Sequence, residues 1–349
     1  MAELIWRGKN TGTKQLDNLS LAKHLMTIET LHGPSGQAAS QPEIAPGTWY
    51  NRLISGDKSD VLPALLPEFA RQIDLIYIDP PFMTGRNFTS GSQLAYNDTW
   101  NRDLDVYLQW LYETFIWLYR LLAEHGSLYV HLDWRSIHYA RVMLDEIFGS
   151  TIDSDGAGFK SEIIWHYQSG GRSQKHFARK HDTILLYTRS DQYCFHPERI
   201  GERRGSHKRN NMRKQVGADG RITWTIRSAG RLYSYDEDTL MTPSDVWNDI
   251  SHLQQKDPQR NGYATQKPEA LLERILLASS EEHAIVLDCF CGSGVTPIVA
   301  QRLGRRWIAC DQSQLAIQVT RQRLLAHIAH IAHVAHVDST PFVLQHCVE

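Results

Sequence analysis

Buried strands that alternate with amphipathic helices constrain the fold of this chain more than any other feature of its sequence. Residues 73–78 are a near-continuous β-branched and apolar run of the kind that parallel sheets bury on both faces, and residues 127–132 predict a second buried strand. Residues 104–124 place leucine or phenylalanine every three or four positions, which predicts an amphipathic helix, and residues 136–148 predict another. Because this order requires right-handed crossovers, we expect an α/β fold with a doubly wound, mostly parallel sheet.

The same alternation returns later in the sequence after a long interruption. The predicted helices and strands of this second part lie at residues 268–281, 284–287, 295–303, 306–310 and 313–327. Between residues 150 and 260, only two strand-like runs, 163–167 and 183–187, stand out from polar, irregular sequence. We therefore expect a Rossmann-like sheet in two halves, with a module inserted between them.

Composition and periodicity predict how the 349 residues are divided. The expected segments are an N-terminal arm of weak periodicity (1–45), the first half of the sheet (46–160), an inserted region (161–260), the second half (261–330) and a C-terminal tail (331–349). No apolar run approaches the roughly 18 residues of a membrane span, and no secretory signal is recognisable. We expect a cytoplasmic protein.

Cysteines and histidines offer no convincing metal site in the sequence alone. The five cysteines, which we expect to be reduced, are Cys194, Cys289, Cys291, Cys310 and Cys347, and they show no paired zinc-finger spacing. In the tail, histidines recur every three residues from His327 to His336. On a helix that period drifts by about 60° per step, so we favour a helix extension over a metal site. No bound metal is expected.

A glycine turn follows the strand predicted at residues 284–287. Gly292 and Gly294 allow close approach of a ligand to the backbone, and the next helix offers free N–H groups. Asp311 ends the following strand about twenty positions downstream, where an acidic side chain can bind ribose hydroxyls. The third glycine typical of dinucleotide-binding turns is absent, so an adenosyl ligand fits better than a dinucleotide.

The tetrapeptide Asp79-Pro80-Pro81-Phe82 stands at the carboxyl end of the strand at residues 73–78. Two prolines could simply stiffen a strand exit, but that alternative leaves Asp79 and Phe82 unexplained. The exocyclic amine of adenine or cytosine is a poor nucleophile because its lone pair is delocalised into the ring. The Asp79 carboxylate and the Pro80 carbonyl could accept its two N–H bonds and localise that pair, while Phe82 stacks on the base.

Positive charge is concentrated in one part of the inserted region, although the net charge of the chain is only −2. The basic residues concerned are Arg199, Arg203, Arg204, Lys208, Arg209, Arg213 and Lys214. Composition alone leaves two interpretations open: a solvated flexible loop, or a loop that binds phosphates.

Together, these motifs resemble the amino-methyltransferases of bacterial DNA restriction-modification systems. Residues 75–82 resemble their catalytic motif, residues 288–296 their cofactor motif, and residues 262–269 a second cofactor segment. Because the catalytic motif comes first in the chain, the resemblance is to the permuted beta group. It covers about residues 49–326. Met83 and Val295 depart from the residues common in that group, Asn and Thr respectively.

The resemblance implies S-adenosylmethionine as cofactor and double-stranded DNA as substrate. It implies catalytic roles for Asp79, Pro80, Pro81 and Phe82, and a cofactor pocket lined by Asp57, Thr265, Lys267, Asp288, Phe290, Gly292, Ser293, Gly294, Thr296 and Asp311. Lys267 and Thr265 would lie near the carboxylate of the cofactor, Asp311 at its ribose and Asp57 near its adenine. Residues 161–260 would include the target-recognition module, which favours DNA binding by the basic segment.

The resulting hypothesis is a DNA methyltransferase that modifies adenine N6 on a base flipped out of the duplex. A cognate restriction endonuclease and a second copy of the chain are candidate partners. The alternatives are cytosine N4 as the target, RNA or a protein amide as the substrate, and a DNA-binding or nucleotide-binding regulator without catalysis. The basic segment argues for a nucleic acid as the substrate, and the complete tetrapeptide and glycine turn argue against a regulator without catalysis.

Overall fold

The apolar runs of the sequence become the central strands of one large sheet in the computed structural model. The structure describes residues 3–10, 23–31, 38–39, 48–90, 92–149, 156–168, 173–204, 211–335 and 340–348. The first half contains, in chain order, β1 (His24–Leu31), β2 (Ala38–Ala39), β3 (Asn51–Ser55), α1 (Lys58–Phe69), β4 (Ile73–Ile78), β5 (Arg86–Ser90), β6 (Gln93–Asp98), α2 (Leu104–Leu121), β7 (Leu122–Leu132) and α3 (Ile137–Phe148).

The remaining elements continue the sheet and build a small module beside it. They are β8 (Gly158–His166), β9 (His181–Thr188), α4 (Pro197–Ile200), β10 (Glu202–Arg203), β11 (Arg213–Val216), β12 (Ile222–Ser228), β13 (Arg231–Asp236), β14 (Leu240–Met241), β15 (Val246–Trp247), α5 (Glu269–Ser279), β16 (Ile285–Asp288), α6 (Val295–Arg302), β17 (Arg306–Asp311), α7 (Gln314–Ala335) and β18 (Phe342–Val348).

The central sheet has eleven strands among the described residues, and their order is β15-β8-β9-β7-β4-β16-β17-β3-β18-β1-β2. Every neighbouring pair from β7 to β18 is parallel, and β9 and β1 run antiparallel to their neighbours on the two flanks. The fold is therefore the expected Rossmann-like α/β arrangement, with one difference. The strand-like runs at 163–167 and 183–187 belong to this sheet, as parts of β8 and β9, and not to a separate module.

Two apolar layers cover the faces of the sheet. On one face, the stripe of α2 buries Leu108, Leu111, Phe115 and Leu118 completely or nearly so. On the other, α5, α6 and α7 pack Leu272, Ile275, Val299 and Leu324. Burial of each such side chain contributes about 1.5–3 kcal/mol, so both halves of the sequence are held on the sheet by their amphipathic helices.

Some predicted element ends, and both terminal segments, differ from the structure. The second helix of the first half ends at Leu121, before Gly126, because Leu122 already pairs with Ile73 in the sheet. The expected arm contains β1, and the expected tail contains β18, which lies between β1 and β3. Both strands have mixed apolar and polar residues and pair only over long range, which local periodicity does not reveal. The favoured helix extension is confirmed, since α7 continues to Ala335.

A three-stranded antiparallel sheet of β11, β12 and β13 lies within the inserted region. Its Trp224 is buried, and the guanidinium of Arg204 lies 4.8 Å from the centre of that ring. All five cysteines are free. In the part of the chain that the structure describes, no helix is long and apolar enough to cross a membrane.

Candidate active site

Four neighbouring strands of the central sheet end in an aspartate at the same edge. Asp79 follows β4, Asp288 ends β16, Asp311 ends β17, and Asp57 lies two residues beyond β3. The carboxyl ends of parallel strands share one edge, and this is where open α/β sheets bind their ligands. All four aspartates line one cavity of about 390 Å³. That volume is within the range of roughly 300–1,000 Å³ that is usual for small-molecule sites.

The glycine turn is held to this edge by Asp311. The Asp311 carboxylate accepts hydrogen bonds from the Gly292 N–H and the Ser313 N–H, both at 2.9 Å. Gly292 and Gly294 have φ angles of +48° and +76°, in the left-handed region where other residues are strained. Burial raises the pKa of Asp311 to about 6. Each carboxylate oxygen retains a lone pair, so Asp311 can still accept hydroxyl groups of a ligand.

Asp288 fixes the other side of the turn. Its carboxylate accepts the Phe290 N–H at 2.9 Å and the Thr296 hydroxyl at 2.5 Å. Burial raises the pKa of Asp288 to about 7, since both of its hydrogen bonds only partly offset the loss of water. The two interactions join the end of β16 to the first turn of α6.

The tetrapeptide Asp79-Pro80-Pro81-Phe82 lines the same cavity. Asp79 Oδ2 forms an ion pair with Lys267, whereas Asp79 Oδ1 is buried without a hydrogen-bond partner among the described residues. The Tyr107 hydroxyl donates to the Pro81 carbonyl at 2.9 Å, which fixes the path of the tetrapeptide. One carboxylate oxygen of Asp79 therefore remains available to a hydrogen-bond donor.

Phe82 lies between a cation and an imidazole. The Lys267 ammonium is 5.3 Å from the centre of the Phe82 ring, and the His131 ring stacks at 6.0 Å with an interplanar angle of 28°. The His131 ring is itself fixed by Tyr77 on Nδ1 at 2.9 Å and by Asp182 at Nε2, 3.2 Å away. These contacts hold the Phe82 ring in place beside Asp79.

Sequence reasoning missed Asp98, which fixes the loop after the tetrapeptide. The buried Asp98 carboxylate accepts the N–H groups of Met83 and Thr84 at 2.8 Å each, and the Trp100 indole N–H at 2.9 Å. These bonds stabilise Met83 at φ +62°, a strained value for this residue. Asp98 ends β6 of a hairpin with β5, and no local motif marks it.

A buried polar chain beneath Phe82 was also missed. Tyr77, on β4, binds His131, on β7; His131 binds Asp182, on β9; and the Tyr167 hydroxyl donates to Asp182 at 3.0 Å. Burial is the largest single influence on Asp182 and raises its pKa, but the contacts with His131, Lys267 and Tyr167 together lower the pKa below its ordinary value. Tyr77, His131 and Asp182 come from three different strands, and Tyr167 directly follows a fourth, β8, so only the sheet order brings these groups together.

All of the other predicted cofactor residues except Gly294 line the cavity. Thr265, Lys267, Phe290, Ser293 and Thr296 line it, whereas Gly294 does not and instead begins α6. Asp57 also caps the N-terminus of α1 by accepting the Ser59 N–H at 2.7 Å. The hydroxyls of Thr265 and Tyr96 lie 3.3 Å apart. Lys267 lies against Asp79, although the resemblance implied a position near the cofactor carboxylate.

The predicted basic segment is divided by the structure. Arg199 binds Glu281 at 2.7 Å, Arg203 binds Asp238 at 3.0 Å, and Arg204 is buried against Trp224. Arg213 and Lys214 are exposed on β11. Lys208 and Arg209 lie outside the described residues. The expected single phosphate-binding loop is therefore divided among several environments. Arg199 and Arg203 are exposed but ion-paired, Arg204 is buried, and the two basic residues of β11 are exposed and make no ion pair with a described residue.

Comparison with known proteins places this site in a family. A family model for DNA methylases of the N6/N4 methyltransferase type matches residues 73–322, which include the tetrapeptide and the glycine turn. The chain belongs to the N6/N4 DNA methylase family. Members of this family transfer a methyl group from S-adenosylmethionine to an exocyclic amine, and this N6/N4 methylase is accordingly a DNA amino-methyltransferase that uses S-adenosylmethionine.

Individual relatives agree with this membership. The Type II methyltransferase M.HpaI of Haemophilus parainfluenzae is 31% identical over 268 residues, which cover 76% of this chain and 72% of the relative. The DNA adenine methyltransferase YhdJ of Escherichia coli K12 is 29% identical over 76% of this chain and 80% of its own. The solved PvuII DNA methyltransferase (cytosine-N4-specific) shares the fold at a TM-score of 0.51 and 18% identity, over 81% of this chain and 93% of its own.

Proposed function

We propose that this N6/N4 methylase modifies the N6 amine of adenine in duplex DNA, on a base turned out of the helix into the cavity. The observation that carries the proposal is the position of Asp79. Its buried Oδ1 has no hydrogen-bond partner among the described residues, and Asp79 lines the same cavity as Phe82 and the glycine turn. The cavity thus combines a hydrogen-bond acceptor, a stacking surface and an adenosyl-type turn.

The tetrapeptide accounts for activation of a conjugated amine. Asp79 Oδ1 and the Pro80 carbonyl accept the two N–H bonds of the amine, which localises the nitrogen lone pair. The proline rings restrict the backbone, so the Pro80 carbonyl needs little reorganisation. The Phe82 ring, held by His131 at 6.0 Å, supports the face of the base. Lys267 orients the Asp79 carboxylate through its ion pair with Oδ2.

The residues at the cavity suit S-adenosylmethionine. Asp311 would accept the ribose hydroxyls, Asp57 would lie near the adenine, and Gly292, Ser293, Phe290, Thr296 and Thr265 would surround the remainder. A Cβ on Gly292 would lie 3.2 Å from the Tyr263 ring, so a side chain there would require that ring to shift by a few tenths of an ångström. When bound, S-adenosylmethionine supplies an electrophilic methyl group on its sulfonium. Asp288 contributes by holding the turn through Phe290 and Thr296.

Motif order supports assignment to the permuted beta group. The tetrapeptide at residues 79–82 precedes the turn at residues 288–294, and the β11–β13 sheet lies between them. We propose residues 161–260 as the region that contains the target-recognition module, with β8 and β9 as its base in the central sheet. A cognate restriction endonuclease is the proposed partner, because M.HpaI is a named Type II methyltransferase.

Adenine is proposed over cytosine because Asp79 begins the tetrapeptide and because YhdJ is named an adenine methyltransferase. We expect DNA from cells that express the chain to contain N6-methyladenine. Digestion to nucleosides followed by mass spectrometry measures this, with cells that express an Asp79→Ala variant as the control. Detection of N4-methylcytosine alone would replace the adenine assignment with cytosine. Absence of both products would contradict the proposal that the chain is an active DNA methyltransferase.

One face of the β11–β12–β13 sheet is the proposed DNA-contacting surface. Directly paired residues of antiparallel strands share a face, so Arg213, Thr225 and Ser234 form one row, and Arg227 lies two residues further along β12 on the same side. The buried Trp224 points to the opposite face. Arg213 and Arg227 are exposed and make no ion pair with any described residue. Two free guanidinium groups on a polar sheet face complement a DNA backbone.

The variant Arg213→Ala/Arg227→Ala is expected to bind DNA more weakly and with less salt dependence. Loss of two phosphate contacts reduces the slope of log K against log salt concentration by about 2. Fluorescence anisotropy with a labelled duplex measures affinity and slope together. Arg306→Ala is the matched control, since Arg306 begins β17 at the edge of the sheet opposite the cavity. An unchanged slope in the double variant would exclude this face.

A further inference from the structure

Three side chains of metal-ligand type meet outside the cavity. Cys194 and His196 lie between β9 and α4, and Glu281 follows α5. One ligand atom from each residue lies within 4.8 Å of the other two. Cys194 Sγ is 3.0 Å from His196 Nε2, and His196 Nε2 is 2.6 Å from Glu281 Oε1. None of the three residues lines the cavity, so methyl transfer does not explain their convergence.

Both ring nitrogens of His196 face carboxylate oxygens, and a neutral ring cannot donate to both of them. Its Nδ1 is 3.1 Å from Glu198 Oε1, and its Nε2 is 2.6 Å from Glu281 Oε1. A neutral imidazole carries a single N–H, so it can donate to only one of the two carboxylates. The other ring nitrogen then presents its lone pair to a carboxylate oxygen. A metal ion at Nε2 would bind this lone pair and remove the repulsion, while the Nδ1–H donates to Glu198.

The surrounding contacts are those that metal sites use. Thiolate sulfur, imidazole nitrogen and carboxylate oxygen are the three ligand types that zinc prefers. A ligating histidine usually donates its second ring N–H to a carboxylate, the position that Glu198 holds at Nδ1. Arg199 binds Glu281 Oε2 at 2.7 Å and leaves Oε1 directed at His196.

We propose that Cys194, His196 and Glu281 bind a divalent transition-metal ion of the Zn²⁺ type, with water as the fourth ligand. On binding, the Cys194 thiol loses its proton to solvent, and its sulfur, His196 Nε2 and Glu281 Oε1 coordinate the ion. The ion joins the segment between β9 and α4 to the segment that follows α5, the helix before β16. Because the unfolded chain does not hold the three ligands together, binding stabilises the folded protein.

Cobalt titration of the full chain tests the proposal. Protein first treated with a chelator is titrated with Co²⁺, and thiolate-to-cobalt charge transfer is followed by absorption. We expect one such site per chain, displacement of Co²⁺ by Zn²⁺, and a rise in Tm on addition of Zn²⁺. Histidines of α7 could also bind Co²⁺, but that helix has no cysteine and gives no thiolate band.

Substitutions identify the ligands. The band is expected to disappear in Cys194→Ser and His196→Gln and to remain in Cys347→Ser, which removes a thiol on β18. Glu198→Gln, which alters only the carboxylate at Nδ1, is expected to lower metal affinity by about 10-fold to 100-fold. Binding of S-adenosylhomocysteine by each variant shows that it is folded. Absence of the band in the unsubstituted chain, or its persistence in both ligand variants, would identify a hydrogen-bonded cluster only and overturn the proposal.

Discussion

Replacement of Asp79 by alanine is expected to lower the rate of methyl transfer by a factor of about 10² to 10³. The variant loses the Oδ1 acceptor, which the amine needs most as charge develops in the transition state. The cofactor contacts proposed for Asp311 and the glycine turn remain, so affinity for S-adenosylhomocysteine should change little. Single-turnover methylation of a duplex and calorimetry measure the two quantities separately.

Two further variants define what the Asp79 result means. Asp79→Asn keeps the shape and one oxygen acceptor but removes the negative charge that pairs with Lys267, so we expect a rate between those of the alanine variant and the unsubstituted enzyme. Asp191→Ala removes an exposed carboxylate from the turn after β9 and should retain the full rate. An unchanged rate in Asp79→Ala would remove Asp79 from the catalytic machinery.

Gly294→Ala is expected to reduce the free energy of unfolding by about 2–4 kcal/mol and to weaken cofactor binding. Gly294 has φ +76°, and a Cβ there would lie 2.7 Å from Thr320 Oγ1 and 3.0 Å from Thr320 Cα. The second of these atoms is backbone, so α7 must shift away from the turn. Urea denaturation measures the stability and calorimetry the affinity.

Gly230→Ala provides a matched control for backbone strain. Gly230 has φ +78°, and a Cβ added there would have no described atom within 4 Å. We expect this substitution to cost about 1 kcal/mol, from the left-handed conformation alone. The difference between the two variants isolates the clash with Thr320. Equal losses would show that close approach to α7 does not constrain the turn.

Residues that end strands were predictable from the sequence. Asp79, Asp288 and Asp311 each follow an apolar run, and parallel strands share a ligand-binding edge, so local patterns were enough to place them together. The glycine turn was recognisable because it also follows an apolar run. Its positive φ angles explain why Gly292 and Gly294 stand there. Helical periodicity similarly predicted the buried stripe of α2.

Contacts between distant parts of the chain were not predictable in this way. Lys267 lies 188 residues from Asp79 in sequence, yet the two form an ion pair. Asp98 acts through a hairpin whose register no local pattern determines. Arg204 belongs by composition to a basic loop, but Trp224 provides a stacking partner that draws it into the interior. Each of these three contacts depends on the order of the strands or on one pair of side chains. The spacing of residues along the sequence predicts neither of these.

The sheet order also makes the two halves of the chain dependent on each other during synthesis. β3, which leads to Asp57, has β17 and β18 as its only described neighbours, and both are made after the tetrapeptide and the inserted region. Until the ribosome has translated β16, β17 and β18, both edges of β3 are unpaired, and β4 lacks β16, the neighbour that leads into the glycine turn. A nascent chain therefore contains the tetrapeptide long before the strands that complete the pocket are made, so we expect it to methylate DNA only after those later strands have been synthesised and have joined the sheet.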